Sequence, residues 1–312
     1  MNISTNKTMS AICWPLIKIC QWMGHNTPST LVKLRYFARF KRFPNLKNPQ
    51  DLNEKILWLK LYSDTSSWTE LADKYRVRNH LEKMGLGNYL VKLYAKWDKA
   101  EDIDFDALPN SLIFKANNGD GKGTNLIVQD LRNADKKKLR DIFNNWLNNR
   151  NVGLLGAEPQ YQKMEPCIIA EELLPIPMGE TSLIDYKIWC INGEPQYIRT
   201  YCNRSKDGGE AESMTYDTEW NACPKFNKIT SHYHAADLLH KPKNLDEMLE
   251  LARKLSKGFP ILRVDLYNIE GKIYFGELTF TSNGGMMNSV TPEFLIKLGE
   301  MADLSGIAKV RN

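Results

Sequence analysis

The sequence lacks a CxxC pair, a close cluster of cysteine and histidine, an internal repeat and a low-complexity tract. Six cysteines are scattered at Cys13, Cys20, Cys167, Cys190, Cys202 and Cys223, so neither a zinc knuckle nor a disulfide framework is expected. Free thiols in a reducing compartment are the simpler reading. A charge bias is also missing: 42 Lys and Arg stand against 37 Asp and Glu, a formal +5. Both signs are spread along most of the chain, which suits an anionic ligand without calling for nucleic acid. Long apolar runs are scarce too. Residues 9–23 (MSAICWPLIKICQWM) resemble the middle of a signal peptide, yet Lys18 interrupts them, only Lys7 precedes them and no clear small-residue cleavage site follows. The run also falls short of the roughly 20 residues that a membrane-crossing helix needs.

At 312 residues the chain can bury a large core in one to three lobes. Residues 30–43 (TLVKLRYFARFKRF) predict a helix with Leu31, Leu34, Phe37 and Phe40 or Phe43 near one face and five basic residues around it. That pattern suits an interfacial helix on an anionic bilayer, or a helix packed on the body with a solvated basic face. Residues 52–61 and 70–84 predict two further helices, with Gly85 as a C-cap. A strand near residues 89–94 and the acidic loop EDIDFDALPN precede the strand SLIFKA, residues 111–116. The loop NNGDGKG, residues 117–123, then leads into NLIVQD. Strand, glycine loop, strand is a hairpin, unlike the strand–loop–helix order of a Walker or Rossmann site. A helix over 135–149 follows, then strands over 167–174, 186–191 and 196–201, the last two joined across Asn192-Gly193. A polar loop, a helix over 245–257 and strands over 261–268 and 272–279 around Glu270-Gly271 complete the pattern.

A lysine ending a buried strand before a glycine loop can hold a polyphosphate. Lys115 supplies a fixed charge, Lys122 could add a second, and Gly119, Gly121 and Gly123 let backbone N–H groups approach the oxygens. The stretch RVDLYNIEGKIYFGELTFTSNGG puts Arg263 and Asp265 on one strand face by period-two alternation, and Glu277 and Thr279 on the same face of the hairpin partner. Two carboxylates set together across a hairpin call for a cation between them. Hard Mg²⁺ with phosphate oxygens fits such ligands, and Arg263 pairing with Asp265 or Glu277 in a buried salt bridge is the structural alternative.

In order, these pieces resemble the ATP-grasp superfamily, and more narrowly its TupA-like branch, associated with teichuronopeptide and other surface-polysaccharide biosynthesis. The segments LNEKILWLKL, LADKYRVRNHL, LPNSLIFKANNGDGKG, IIAEELL, DYKIWCINGEP and RVDLYNIEGKIYFGELTF carry the resemblance over residues 46–305. It implies an α+β fold, two lobes gripping ATP, with an N-terminal helical extension. The divisions expected are a basic helical segment at 1–45, an N-terminal lobe at 46–110, a small lobe with the glycine loop at 111–165, a large lobe with the Mg-nucleotide site at 166–305 and a tail at 306–312. Lys74 would be the first phosphate-contacting lysine and Lys115 the second, with residues 119–123 as the lid. Glu171 to Leu174 would be the hinge meeting adenine, and Glu172 or Glu180 would hold the ribose. Asp185 and Lys187 would sit near the triphosphate, Lys187 joining Arg263 in the catalytic set. Asp265 and Glu277 would bind magnesium, and Arg263 would steady the acyl-phosphate transition state. Thr279 departs from the Asn usual in the superfamily, though the branch tends to Thr; it would ligate the metal weakly or through water. Asn118 stands where the branch often has His.

The resemblance implies an ADP-forming carbon–nitrogen ligase using ATP and Mg²⁺. Its expected substrates are a sugar-linked carboxylate such as a uronic acid and an amino acid or other amine, in the cytoplasm with peripheral contact at the inner membrane surface. A glycosyltransferase, which would use a DxD motif such as Asp102–Asp104, and a non-catalytic assembly protein are the alternatives. His232, His234 and His240 near Cys223 fit no standard zinc spacing. The tryptophans read as packing residues. Arg199, Arg204 and Lys206 could meet an anionic acceptor.

Overall fold

The computed structural model describes residues 4–119, 123–205, 210–230 and 233–310. Gly121, Lys122, Lys206 and His232 lie outside the described residues. The chain opens with helices α1 (Ser4–Asn26) and α2 (Pro28–Phe40), followed by α3 (Leu52–Tyr62). Asp51 caps α3 by accepting from the Glu54 backbone N–H at 2.9 Å, and Glu54 in turn accepts from the Asn45 and Gln50 amides. The face that α2 buries shares only Leu31 and Phe40 with the predicted apolar stripe. Val32 and Tyr36 pack with Leu57 and Leu61 of α3, whereas Leu34, Phe37 and Phe43 are exposed. Arg42 sits over the Tyr36 ring at 5.2 Å and binds Asp51 and Glu54, so the cap of α3 selects which side of α2 docks.

The single helix expected over 70–84 is two short ones, α4 (Trp68–Leu71) and α5 (Val77–Lys83). Asp73 breaks it. Its buried carboxylate accepts the backbone N–H groups of Tyr75 and Arg76 and the Asn117 side-chain amide, offering the backbone an alternative to helical bonding. The break turns the Lys74 amide to the carbonyl of Asn117, at the mouth of the glycine loop.

Two sheets follow. The smaller combines β1 (Leu93–Trp97), β2 (Leu112–Ala116), β3 (Asn125–Val128) and β4 (Ile168–Glu171) in the antiparallel order β1-β4-β2-β3. It draws β1 from before residue 111 and β4 from after residue 165. Helix α6 (Lys136–Asn148) covers it, with Phe143 against Phe114 and Trp146. The short α7 (Pro159–Gln162) leads into β4.

The larger sheet holds β5 (Asp185–Ile191), β6 (Glu194–Cys202), β7 (Ala211–Asp217), β8 (Tyr233–Ala235), β9 (Ile261–Ile269) and β10 (Lys272–Thr279), ordered β10-β9-β5-β6-β7-β8. All neighbours are antiparallel except β7 and β8. Both two-residue turns take positive φ throughout, at Asn192-Gly193 (53° and 81°) and Glu270-Gly271 (51° and 90°), the geometry that matches strand twist. Helix α8 (Leu245–Ser256) packs on one face, its Met248, Ala252 and Leu255 joining Ile188, Leu262 and Val264 in the main core. Helix α9 (Pro292–Met301) lies against α3 and seats Phe294 and Leu298 in the same core. Nearby, Lys60 is buried and donates to the carbonyls of Gly156 and Gly284, both at 2.6 Å. Burial pulls its ammonium down to about 8, with Glu158 opposing. Among the described residues no helix is long and apolar enough to cross a membrane.

Candidate functional site

The face of the larger sheet away from α8 carries a row of charge. Cross-strand register aligns Glu277 with Asp265, Asp265 with Lys187, and Lys187 with Arg199, so four neighbouring strands each contribute one ionisable residue. A bulge makes the first pairing. The register shifts between Phe275 and Glu277, so Phe275 points into the core while Glu277, two residues on, points into the site. Gly276 is the residue that allows it, since a Cβ there would stand 2.9 Å from the Asp265 carbonyl oxygen.

Asp265 is the hub of this row. Arg263 grips it through Nε at 2.6 Å and Nη2 at 2.7 Å, and Lys187 Nζ binds its Oδ2. Burial would push its carboxyl up, but Arg263 and then Lys187 outweigh burial and hold it at about 2. Arg263 also donates to Ser282 Oγ at 2.7 Å and Thr279 Oγ1 at 2.9 Å, and its Nη2 lies 3.5 Å from Glu277. Burial opposes charge on Arg263 and Lys187, yet the carboxylates around them raise both. Asp185 joins from β5, its Oδ2 2.9 Å from Lys187 Nζ and 2.8 Å from Arg204 Nη2. The salt-bridge alternative therefore describes how Arg263 sits in this structure.

Facing the row are the residues of the smaller sheet. Lys74 spans the gap, donating to the Gly119 carbonyl at 2.6 Å with Glu277 Oε2 at 3.4 Å. Lys115 Nζ binds Glu171 Oε2 at 2.7 Å, and Arg78 holds the other oxygen of Glu171 at 3.0 Å. Gly123 accepts from the Trp146 indole at 2.7 Å, which fixes the far end of the glycine loop to α6. Beside the hinge, Leu174 packs with Val91 and Tyr274, and with Leu183, Tyr267 and Ile269, as an apolar wall between the sheets.

This arrangement sets Asp265 and Glu277 among the cations Arg263, Lys187 and Lys74, with Lys74 joining them to Gly119 at the start of the glycine loop. A family model described as TupA-like ATPgrasp matches residues 54–302. The chain belongs to the TupA-like ATP-grasp family. Its α+β fold is the ATP-grasp fold, and the family makes it an ATP-dependent ligase. Solved structures similar to it include a D-alanine–D-alanine ligase from Bacillus anthracis, at 16% identity and TM-score 0.47, covering 78% of this chain and 73% of that one. The D-alanine–D-alanine ligase of Helicobacter pylori is similar at 14% identity and TM-score 0.41, covering 82% and 67%. The ATP-grasp ligase PsnB complexed with minimal precursor is similar at 15% identity and TM-score 0.39, covering 79% and 66%. No curated protein sequence matches the chain.

Of the residues singled out in this ATP-grasp chain, Lys187, Arg263, Asp265, Glu277 and Thr279 share one bonded network, with Asp185 at its edge and Lys74 reaching it from the other wall. Lys115 and Glu171 form a second cluster. Glu172 is fixed through its backbone to the Lys92 carbonyl. Glu180 is exposed, and its charge acts on Tyr186 and Cys202, whose neighbours lie in the core behind the sheet. Asp102 and Asp104 are exposed by the smaller sheet, where Asp104 caps its own turn at Asp106. Four site residues escaped the sequence reading or were left unplaced by it. Arg78 carried no signal beyond its place in a quoted segment, and Tyr267 shares the period-two face of Asp265. Tyr267 is raised by the Asp185 charge and then by burial. Tyr201 lies under Arg199 and Arg204, each 5.2 Å from its ring. Ser282 anchors Arg263.

Asp265, Glu277 and Thr279 offer hard oxygen donors, now neutralised by Arg263, Lys187 and Lys74. Among the described residues no three His, Cys, Asp or Glu converge on one point. A magnesium ion here would draw on two carboxylates, a hydroxyl and the phosphates, a donor set that fits it.

Proposed function

We propose that the chain activates a carboxylate as an acyl phosphate and passes it to an amine, joining an amino acid or other amine to a uronic acid or other sugar of a bacterial surface polysaccharide. The work is done in the cytoplasm with peripheral contact at the inner membrane surface. The observation that carries the reading is the Glu277–Asp265–Lys187 row facing Lys74, Lys115 and the glycine loop, in a chain of the TupA-like family.

In this reading Lys74 and Lys115 meet the phosphate oxygens of ATP, Lys115 leaving Glu171 to Arg78. The N–H groups of residues 119–123 close over the triphosphate and exclude water from the reactive acyl phosphate. Leu174 and the backbone of residues 171–174 receive adenine, and Glu172 or Glu180 takes the ribose. Asp265 and Glu277, with Thr279, would hold Mg²⁺, which when bound supplies positive charge at the phosphate oxygens. Arg263 then has a new anion to meet. Its guanidinium neutralises the carboxylate during phosphoryl transfer and the oxyanion when the amine attacks. Asp185 and Lys187 sit near the triphosphate, Lys187 joining Arg263 in the catalytic set and holding Asp265 in place. No cysteine or serine nucleophile is needed.

Incubating the chain with ATP, Mg²⁺ and a panel of uronic acids, sugar nucleotides and amino acids tests this directly. ADP release should require both a carboxylate and an amine. Glu277→Gln should lower it about a thousandfold. No release with any member of the panel would sink the sugar reading, and full activity in the variant would sink the metal assignment.

A further inference from the structure

The first fifty residues contain eight Lys and Arg and no Asp or Glu. Of the seventeen large apolar side chains exposed among the described residues, seven lie within residues 16–43. Leu16, Ile19 and Trp22 of α1 are 53–60% exposed, and on and just after α2 so are Leu34 at 50%, Phe37 at 44% and Phe43 at 59%. Phe37 and Phe43 stack at 4.9 Å, forming one aromatic surface. Lys33 stands one helical turn from Phe37 and lines a groove of about 500 Å³ with Lys47, Lys309, Asn45 and Tyr62.

A soluble surface seldom leaves so many large apolar groups together unless something covers them. The charge decides what. A second copy docking face to face would set one basic, acid-free arm against another, and like charges repel. Among the described residues nothing covers these side chains, because α2 spends Leu31, Val32 and Tyr36 on docking and turns the others outward. A surface that is apolar inside and anionic at its boundary satisfies both halves of the pattern.

We propose that the α1–α2 arm lies on an anionic phospholipid bilayer, its apolar side chains entering the acyl boundary while Lys33, Lys47 and Lys309 meet headgroup phosphates. No described helix could cross a membrane, so the contact is interfacial. This deepens the membrane-contact part of the proposed function and rests on it. The arm is also tied to the site. Arg39 of α2 donates to Asn288 at 2.6 Å, and the adjacent Ser289 accepts Arg199 through its carbonyl at 2.8 Å, one strand from Lys187.

The test is sedimentation of the full chain with vesicles of phosphatidylcholine alone or mixed with phosphatidylglycerol, with light scattering of the free protein alongside. Binding to the mixed vesicles should exceed binding to the neutral ones by about tenfold and weaken with salt. Phe37→Ser with Phe43→Ser, and separately Lys33→Glu with Lys47→Glu, should each lower it about tenfold, with thermal unfolding unchanged because all four side chains reach solvent. Equal binding to both vesicles, or variants that bind as the parent does, would overturn the proposal. So would a dimer that the double serine variant dissolves without any vesicle binding. The assay reads no chemistry: a chain that binds vesicles but releases no ADP breaks the sugar-substrate reading alone, and ADP release without vesicle binding breaks the membrane contact alone.

Discussion

In the β9–β10 hairpin the turn is two residues long and the charged residues sit mid-strand; in β2–β3 the connection runs over residues 117–124 and the charge sits beside it. The first hairpin is built to hold positions. Its bulge at Gly276 sets Glu277 opposite Asp265, and one carboxylate is the shared partner of two buried cations. The second is built to give way. Lys115 shares Glu171 with Arg78, so it can leave without orphaning a buried charge, and the loop beyond it carries glycines where a phosphate would approach. The proposed mechanism would use both: a rigid floor for the reacting groups and a roof that closes after ATP arrives.

The sharpest way to break this contrast is to remove the hub. Asp265→Asn leaves Arg263 and Lys187 without their common carboxylate, and breaking such a buried pair costs several kcal/mol. About 3 kcal/mol is expected, because Lys187 retains Asp185 and Arg263 retains Ser282 and Glu277. The pH dependence gives a second readout. Asp265 is held at about 2, below its unfolded value, so its stabilisation is complete above the unfolded carboxyl range and is lost as pH falls toward 2. Chemical denaturation from pH 5 to 2 should show that part of the loss in the parent and not in the variant. A parent and variant with parallel acid profiles would mean that Asp265 is not the hub.

The matching change in the roof is Lys115→Met. Glu171 keeps Arg78, so stability should move by less than about 1 kcal/mol. ADP formation should fall about a hundredfold, because a positive charge at the phosphates is gone. Stability loss as large as that of Asp265→Asn would erase the distinction between floor and roof.

The sequence made the floor more legible than the roof. Asn192-Gly193 and Glu270-Gly271 are local signals, since a two-residue turn with positive φ at both positions constrains which residues fit it. Period-two alternation then put Arg263, Asp265, Glu277 and Thr279 on one face, and the structure brings them together. Partners set by tertiary distance were hidden. Nothing local to residues 70–84 says that Asp73 will be claimed by Asn117, 44 residues away, and so end the helix. Arg78 reaches Glu171, 93 residues on, only once the chain is folded, and Arg204 reaches Asp185 only across the closed β5–β6 hairpin. The buried side of α2 was likewise decided by Arg42 and the cap of α3 rather than by the helix's own apolar stripe.

The mildest test puts one methyl group on a glycine in each hairpin. At Gly276 the new Cβ would meet the Asp265 carbonyl oxygen at 2.9 Å, and that backbone is fixed by pairing on both sides. Gly276→Ala should therefore cost about 1–2 kcal/mol and lower kcat, as Glu277 and Asp265 shift apart, with little change in KM for ATP. At Gly119 the Cβ would collide with both Oγ1 and Cβ of Thr124, and since a Cβ cannot rotate away the loop backbone itself must move. Gly119→Ala should cost about 1 kcal/mol, less than Gly276→Ala because an end of a loop shifts rather than a paired strand, and raise KM for ATP about threefold. Adding Thr124→Gly removes both clashing atoms and should bring KM most of the way back. If the double variant keeps the raised KM, the loop is sensitive to backbone freedom at Gly119 rather than to space, and its pliancy comes from the glycine itself.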